Sequence, residues 1–207
     1  MALFGAKGLH PRALEPAMIA KIPVRIKNTF NPDARGTLVS ERAESSDPGP
    51  VKAALLVNNI AMLTVRGPSM VGKPGTAARI LDTLYKAGVN VMMISQSVSE
   101  SSISLIVRRE NMQRAVSAIE KALLGTGVVA SIESEDDVAV IAVIGEGMKG
   151  TPGIASRVFG AVASRGGNVR MIAQGSSELN ISFVVKEEQA IEAVKAIHAE
   201  YGLSGRR

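Results

Sequence analysis

The sequence predicts an α+β protein made of two ferredoxin-like βαββαβ modules, the first inserted in the second. Three observations carry this. Residues 70–107 align with 148–185 without a gap at a constant offset of 78, and 17 of the 38 positions are identical. A repeat of that length is too long for a solenoid and has the size of a small domain. Each copy runs through the same series of β-prone and helical segments. The second copy reaches its last helix with almost no chain left, while a spare β-prone run stands ahead of the first.

In the first copy, residues 61–66 form a β-prone run ended by Gly67 and Pro68. Residues 74–87 place Ala77, Ile80, Leu81, Leu84 and Ala87 at helical spacing, with Pro74 suited to a first turn and Gly88 to a stop. Strands are expected over 89–95 and 103–107, with the polar stretch 96–102 turning between them. A second helix over 110–123 carries Met112, Val116, Ile119 and Leu123 on one stripe, and 128–132 closes the module as a fourth strand. The second copy repeats this from Val138, with its last helix near 188–200. The six residues after Tyr201 make a poor strand, so 51–57 is expected to cross over and complete the second sheet, whose edge would otherwise stay open. The expected boundaries are 60–134 for the first module and 51–58 plus 135–203 for the second. The acidic cluster Glu133, Glu135, Asp136 and Asp137 reads as a solvated connection. Residues 41–50, rich in Ser, Glu, Pro and Gly, read as a linker, and residues 1–40 hold too little apolar material to close a core alone.

Composition narrows the function. There is no Cys, which excludes disulfides and thiolate chemistry, and with two His far apart in sequence no His-rich metal site is expected. The net charge of +5 is scattered, and with four Phe, two Tyr and no Trp there is little to stack bases on, so no nucleic-acid partner is expected. No apolar run reaches the ~18 residues of a membrane span. No membrane partner is expected, and a cytoplasmic location is the default. No catalytic set is visible.

Two glycine patterns resemble phosphate loops. Gly67, Gly72 and Lys73 nearly spell a P-loop, but Pro74 stands where a hydroxyl is needed. Gly145, Gly147 and Gly150 spell G-x-G-x-x-G, but the strands that follow are an antiparallel repeat and no ribose-binding acid comes after them. What survives is a glycine loop ahead of a helix, able to present backbone amides to an anion such as a carboxylate, or merely to link strand to helix. Asn90 and Asn168 open the next strand and Gln96 and Gln174 close it. Their donors and acceptors suit a zwitterionic amino acid, although Asn could equally support a turn.

These residues carry a family resemblance. The segments 147–153 (GMKGTPG) and 172–185 (IAQGSSELNISFVV) resemble the paired ACT modules of aspartate kinase. Residues 4–12 (FGAKGLHPR), 22–27 (IPVRIK) and 28–38 (NTFNPDARGTL) resemble the end of that enzyme's kinase domain, in family order, so residues 1–40 are expected to be a partial kinase-domain segment. The resemblance implies an enzyme that phosphorylates the side-chain carboxylate of L-aspartate with Mg-ATP, on the route to lysine, threonine and methionine. It also implies ACT modules that bind lysine or threonine as feedback inhibitors and pair across a homodimer. Lys7 matches a nucleotide-proximal lysine, stranded here, since most of the kinase site lies upstream in the family. The chain is therefore expected to be regulatory, with no catalytic residue, no metal and no cofactor of its own, and Mg-ATP belonging to the complete enzyme. By motif, the effector-site residues are Met70, Gly72, Lys73, Pro74, Gly75, Asn90, Val91, Met92 and Gln96 in the first module. Their counterparts in the second are Met148, Gly150, Thr151, Pro152, Gly153, Asn168, Val169 and Gln174. Lysine-responsive members place an aspartate near these positions. Here Met92 and Lys73 stand there, which favours threonine over lysine. Two other readings stay open: a catalytically active kinase when joined to an upstream or separate kinase chain, and a purely structural dimerisation module.

Overall fold

The computed structural model describes residues 11–40 and 49–203. Lys7, most of the expected linker and the terminal Arg206 and Arg207 lie outside the described residues. The N-terminal piece holds a short helix α1 (Glu15–Ile19) and a two-stranded antiparallel ribbon, β1 (Val24–Ile26) with β2 (Thr37–Val39). Phe30 is almost fully solvent-exposed and Ile19 largely so, so the described part of this piece encloses no core of its own.

The rest forms β3 (Ala53–Arg66), α2 (Thr76–Lys86), β4 (Val91–Gln96), β5 (Ser102–Arg108), α3 (Met112–Leu123), β6 (Ser131–Ile144), α4 (Ile154–Ala163), β7 (Met171–Gln174), β8 (Asn180–Lys186) and α5 (Glu187–Glu200). One antiparallel sheet holds all six strands in the order β4-β5-β3-β6-β8-β7. The expected crossover is present: 53–57 pair with 140–144, beside the first strand of the second module, while 62–66 pair with 131–135 in the first.

Two expectations are corrected. The runs 51–57 and 61–66 belong to one continuous strand, β3, which begins at Ala53, and the end of 128–132 is likewise joined to the run from Val138 in β6, which begins at Ser131. The acidic cluster 133–137 therefore lies inside β6 and is not a connection. It is tolerated because its side chains reach the sheet's surface, where Glu133 pairs with Arg66 and Glu135 with Arg170. A strand shared by both modules needs its inward face reset at the junction, because successive side chains alternate. The reset is a β-bulge at Asn58 and Asn59, with the register shifting between Val57 and Ile60 and Asn59 at φ 58°. Ala54 and Leu56 face the helices of the second module, and beyond the bulge Ala61, Leu63 and Val65 face those of the first.

Helix positions follow from apolar spacing. Ile80 and Leu84 on α2, Ala115, Ile119 and Leu123 on α3, and Ile154, Val158 and Val162 on α4 recur every fourth residue and are buried. Each fully buried Leu, Ile or Val among them stabilises the fold by about 1.5–3 kcal/mol. Gly75 (φ 83°) and Gly153 (φ 85°) stand immediately ahead of α2 and α4, so each helix starts two residues after its proline. The opposite face of the sheet encloses a third, smaller cluster: Ile60, Met62, Ile106, Val138, Val140, Met171 and Val184, with Met93 packed on it. Its members come from both modules. The sheet curls around them so that its edge strands β4 and β7 approach each other without pairing.

Candidate functional site

The two glycine loops fold alike. In the second module the chain leaves β6 through Gly145, makes a tight turn over Glu146–Met148 and buries the Met148 side chain. It then passes Gly150 at φ 67° and reaches Gly153 at the start of α4. The Thr151 hydroxyl donates to the Gly147 carbonyl (2.7 Å), which ties the loop to itself. The first module follows the same path through the turn Pro68–Met70 and Gly72 at φ 65°, but its loop is tied at a different place, by the Thr76 hydroxyl donating to the Lys73 carbonyl (3.1 Å).

The decisive glycines differ from the phosphate-loop reading. A Cβ on Gly145 would sit 2.0 Å from the Pro50 carbonyl oxygen, and one on Gly147 would sit 2.9 Å from the Pro50 Cα. A Cβ on Gly67 would sit 2.1 Å from the Val128 carbonyl oxygen. These glycines let another stretch of backbone pass, and that passing chain, not a phosphate, accounts for the motif spacing. Gly72, Gly75, Gly150 and Gly153 face open space, so there the positive φ selects glycine.

A cavity of 340 Å³ opens against α4. Six of the expected residues line it: Met148, Gly150, Thr151, Pro152, Gly153 and Gln174. Asn168 and Val169 stand apart from its lining. The Asn168 amide donates to Gln189 Oε1 (3.2 Å), and Val169 packs against the core. In the first module Gly72, Lys73, Pro74, Gly75, Asn90 and Gln96 are exposed at the equivalent place, and so is Met92. Met70 is buried in the core, with Val91 packed against it.

Two residues outside the expected set prove central. Glu178 Oε2 accepts the Gly150 N–H at 2.7 Å, and Glu100 Oε2 accepts the Gly72 N–H at 2.8 Å. Both glutamates adopt left-handed backbone (φ 57° and 54°) at the tip of the turn between the two middle strands of their modules. The loop amide expected to face a ligand's carboxylate already has a carboxylate on it. Glu178 also lines the cavity, with Ile154, Ala155 and Ile181 as its apolar floor. The signal that could have found the pair was the Ser-Glu dipeptide kept at 99–100 and 177–178.

Electrostatics distinguishes the modules. Arg170 holds the position of Met92 and is drawn off by Glu135 (2.7 and 2.9 Å). Beside it Lys186 donates to Asp137. That hydrogen bond lowers the Asp137 carboxyl below its ordinary range and raises the Lys186 ammonium above its own. Among the described residues, no three His, Asp or Glu side chains gather to hold a metal, and no helix is long and apolar enough to cross a membrane. A further apolar cavity of 390 Å³ lies in the N-terminal piece, lined by residues such as Leu14, Met18, Ile22 and Val39.

Comparison with known proteins agrees with this geometry. The ACT domain profile matches residues 63–123 and 141–201. The chain is 37% identical over 211 residues to the chloroplastic bifunctional aspartokinase/homoserine dehydrogenase 1 of Arabidopsis thaliana, covering 99% of this chain and 23% of that one. It is similar to the aspartate kinase of Clostridium acetobutylicum (TM-score 0.85, 30% identity, 96% of this chain and 45% of that one). It is also similar to E. coli aspartokinase III in complex with lysine and aspartate (TM-score 0.76, 30% identity, 97% and 44%). The regulatory subunit of aspartate kinase from Thermus thermophilus matches at a TM-score of 0.65 and 30% identity, over 73% of this chain and 98% of that one. The chain thus spans about a quarter of the bifunctional relative but nearly all of a regulatory subunit, and it belongs to the ACT domain family as a tandem pair of the kind found in the regulatory region of aspartokinases.

Proposed function

We propose that this region senses threonine and relays its presence to an aspartate kinase domain, on the same polypeptide or on a separate chain, as feedback inhibition. That domain would use Mg-ATP to convert L-aspartate to 4-phospho-L-aspartate. The observation that carries the reading is the duplicated glycine loop with its cavity, whose wall joins backbone amides, the Gln174 amide and an apolar floor. Such a wall suits a small zwitterion: amide donors for the carboxylate, the Gln oxygen for the ammonium, and Ile154 and Ile181 for a short side chain. Lys73 in one loop and Lys149 in the other place positive charge beside the sites and disfavour a second ammonium.

Lysine is the second reading. Glu178 puts a carboxylate on the cavity wall, and the E. coli relative was solved with lysine. Calorimetry at millimolar ligand decides between them: heat from threonine and none from lysine is expected. Heat from lysine alone reverses the assignment, and heat from neither, with no shift in melting temperature, removes the sensor reading.

Homodimerisation belongs to the same proposal. β4 and β7 end the six-stranded sheet and are hydrogen-bonded within it on one side only. Ile94 and Ile172, at equivalent positions, are exposed on these strands. An edge of this kind pairs readily with another chain. Light scattering after gel filtration should give twice the chain's mass of 21.6 kDa. A monomer at every concentration would disprove the pairing.

A further inference from the structure

We propose that Glu100 and Glu178 are built-in competitors of the effector: each occupies its own module's loop amide and must be displaced by the carboxylate of the incoming amino acid. This rests on the amino-acid-sensor reading and adds how that site is held shut.

The first support is chemical identity. The group on Gly72 N–H and Gly150 N–H is a carboxylate, the same group that a free amino acid would bring to that amide. Both bonds span 28 residues and recur at equivalent positions of the two copies, so one arrangement serves two sites. The second support is backbone strain. Four described non-glycine residues have positive φ, and Glu100 and Glu178 are two of them. Glycine would adopt φ near +55° without the steric penalty that a Cβ brings. Glutamate stands there in both copies, and what it offers over glycine is the side chain that reaches the loop. Retained strain of this kind is expected where a function holds it. The third support is exposure. Both glutamates lie at the surface, where a carboxylate–amide hydrogen bond trades readily against water or another anion. Glu178 borders the cavity itself, so its departure would enlarge the space beside the amide.

The consequence is quantitative. If the amide is free only a fraction of the time, the apparent dissociation constant of the effector is its intrinsic value divided by that fraction. Removing the competitor should therefore tighten binding. A glutamate that merely staples the loop would act in the opposite direction, because its loss would loosen the site.

The test is calorimetric titration of the full 207-residue chain with threonine, lysine, and their C-terminal amides, in wild type, Glu100→Ala, Glu178→Ala and the double variant. The expected result is that the free amino acid bound by wild type binds the double variant roughly three- to tenfold more tightly. Its amide, which has no carboxylate, should gain nothing. Glu100→Gln and Glu178→Gln keep the shape and lose the charge, and should tighten binding by a smaller factor even if the alanine variants fold poorly. Unchanged or weaker binding of the free amino acid by the variants overturns the competitor role and leaves the sensor reading standing. Equal tightening of the amide overturns it as well, since the gain would then owe nothing to the carboxylate. No heat from any probe with wild type or variants overturns the sensor reading and this inference together.

Discussion

At the scale of single residues, the glycines divide by mechanism, and the division is testable. Gly145 has extended backbone, yet an added Cβ would meet the Pro50 carbonyl oxygen at 2.0 Å, a contact that only backbone movement can relieve. Gly145→Ala should therefore lower stability by about 3 kcal/mol, at the upper end of overpacking effects. Gly150→Ala faces open space and bears only the positive φ, so a loss of about 1–2 kcal/mol is expected. Urea denaturation followed by circular dichroism ranks the two, and equal losses would contradict the assignment. Tyr201 supplies a pH prediction. Its hydroxyl donates to the Ile154 carbonyl (3.2 Å) and its ring lies 4.5 Å from the Arg157 guanidinium carbon, while burial raises the phenol above its ordinary range. The folded state therefore holds that proton more tightly than the unfolded chain does. The stabilisation is complete below the unfolded value, about pH 10, and is lost as pH rises through the higher folded value. Tyr201→Phe should lose about 1 kcal/mol at pH 7 and flatten the alkaline limb of a stability–pH curve. An unaltered limb would show that another group governs it.

At the scale of elements, β3 is the informative case. Its N-terminal half serves the second module and its C-terminal half the first, with the bulge at Asn58 and Asn59 between them. Deleting Asn58 would restore plain alternation and turn Ala54 and Leu56 away from the helices of the second module. The expected outcome is loss of cooperative unfolding in the second module, seen as early hydrogen exchange along β8. A deletion variant with native protection would show that the bulge is dispensable. The apolar runs on either side of 58–60 and the missing last strand were legible in the sequence, because hydrophobic periodicity and length are local properties. The union of the runs into single strands was not. Asn58 and Asn59 fall between the two expected runs and the acids within 133–137 read as a connection, and only pairing with a neighbour of matching irregularity keeps the strands continuous. The site divides the same way. The loop residues that line the cavity were expected from the family resemblance carried by their glycine and proline motif, whereas Asn168 stands outside the lining, its backbone N–H donating to Gln189 of another element.

At the scale of the whole molecule, the modules are joined by more than a linker. They share two strands and a common cluster between them, and they interact through repeat-equivalent residues. Arg109 Nη2 donates to Glu187 Oε2 at 2.6 Å, and these positions differ by the repeat offset, so the contact lies near the relation that exchanges the modules. Both side chains are about a third or more exposed, so the pair should contribute about 1 kcal/mol or less. A double-mutant cycle with Arg109→Met and Glu187→Gln measures that coupling, and a value of zero would mark it as incidental. Because the strands are shared, the modules should unfold as one. Hydrogen exchange along β5 and β8 is expected to report the same urea midpoint, and two separated midpoints would refute the interlock. That coupling would give the proposed effector, bound in one module, a mechanical route to the other.

The amino-acid sequence by itself determined the duplication, the class of each module and the need for a borrowed strand, since all three follow from patterns along a single dimension. Which residues would meet was decided by the tertiary structure. The Gly150–Glu178 bond joins groups 28 positions apart, and it exists only because Glu178 takes a left-handed conformation and β8 brings its turn beside the loop. Periodicity reports which face of an element is apolar. It carries no record of a side chain reaching back to a distant backbone amide, and that contact depends on the geometry of the folded sheet.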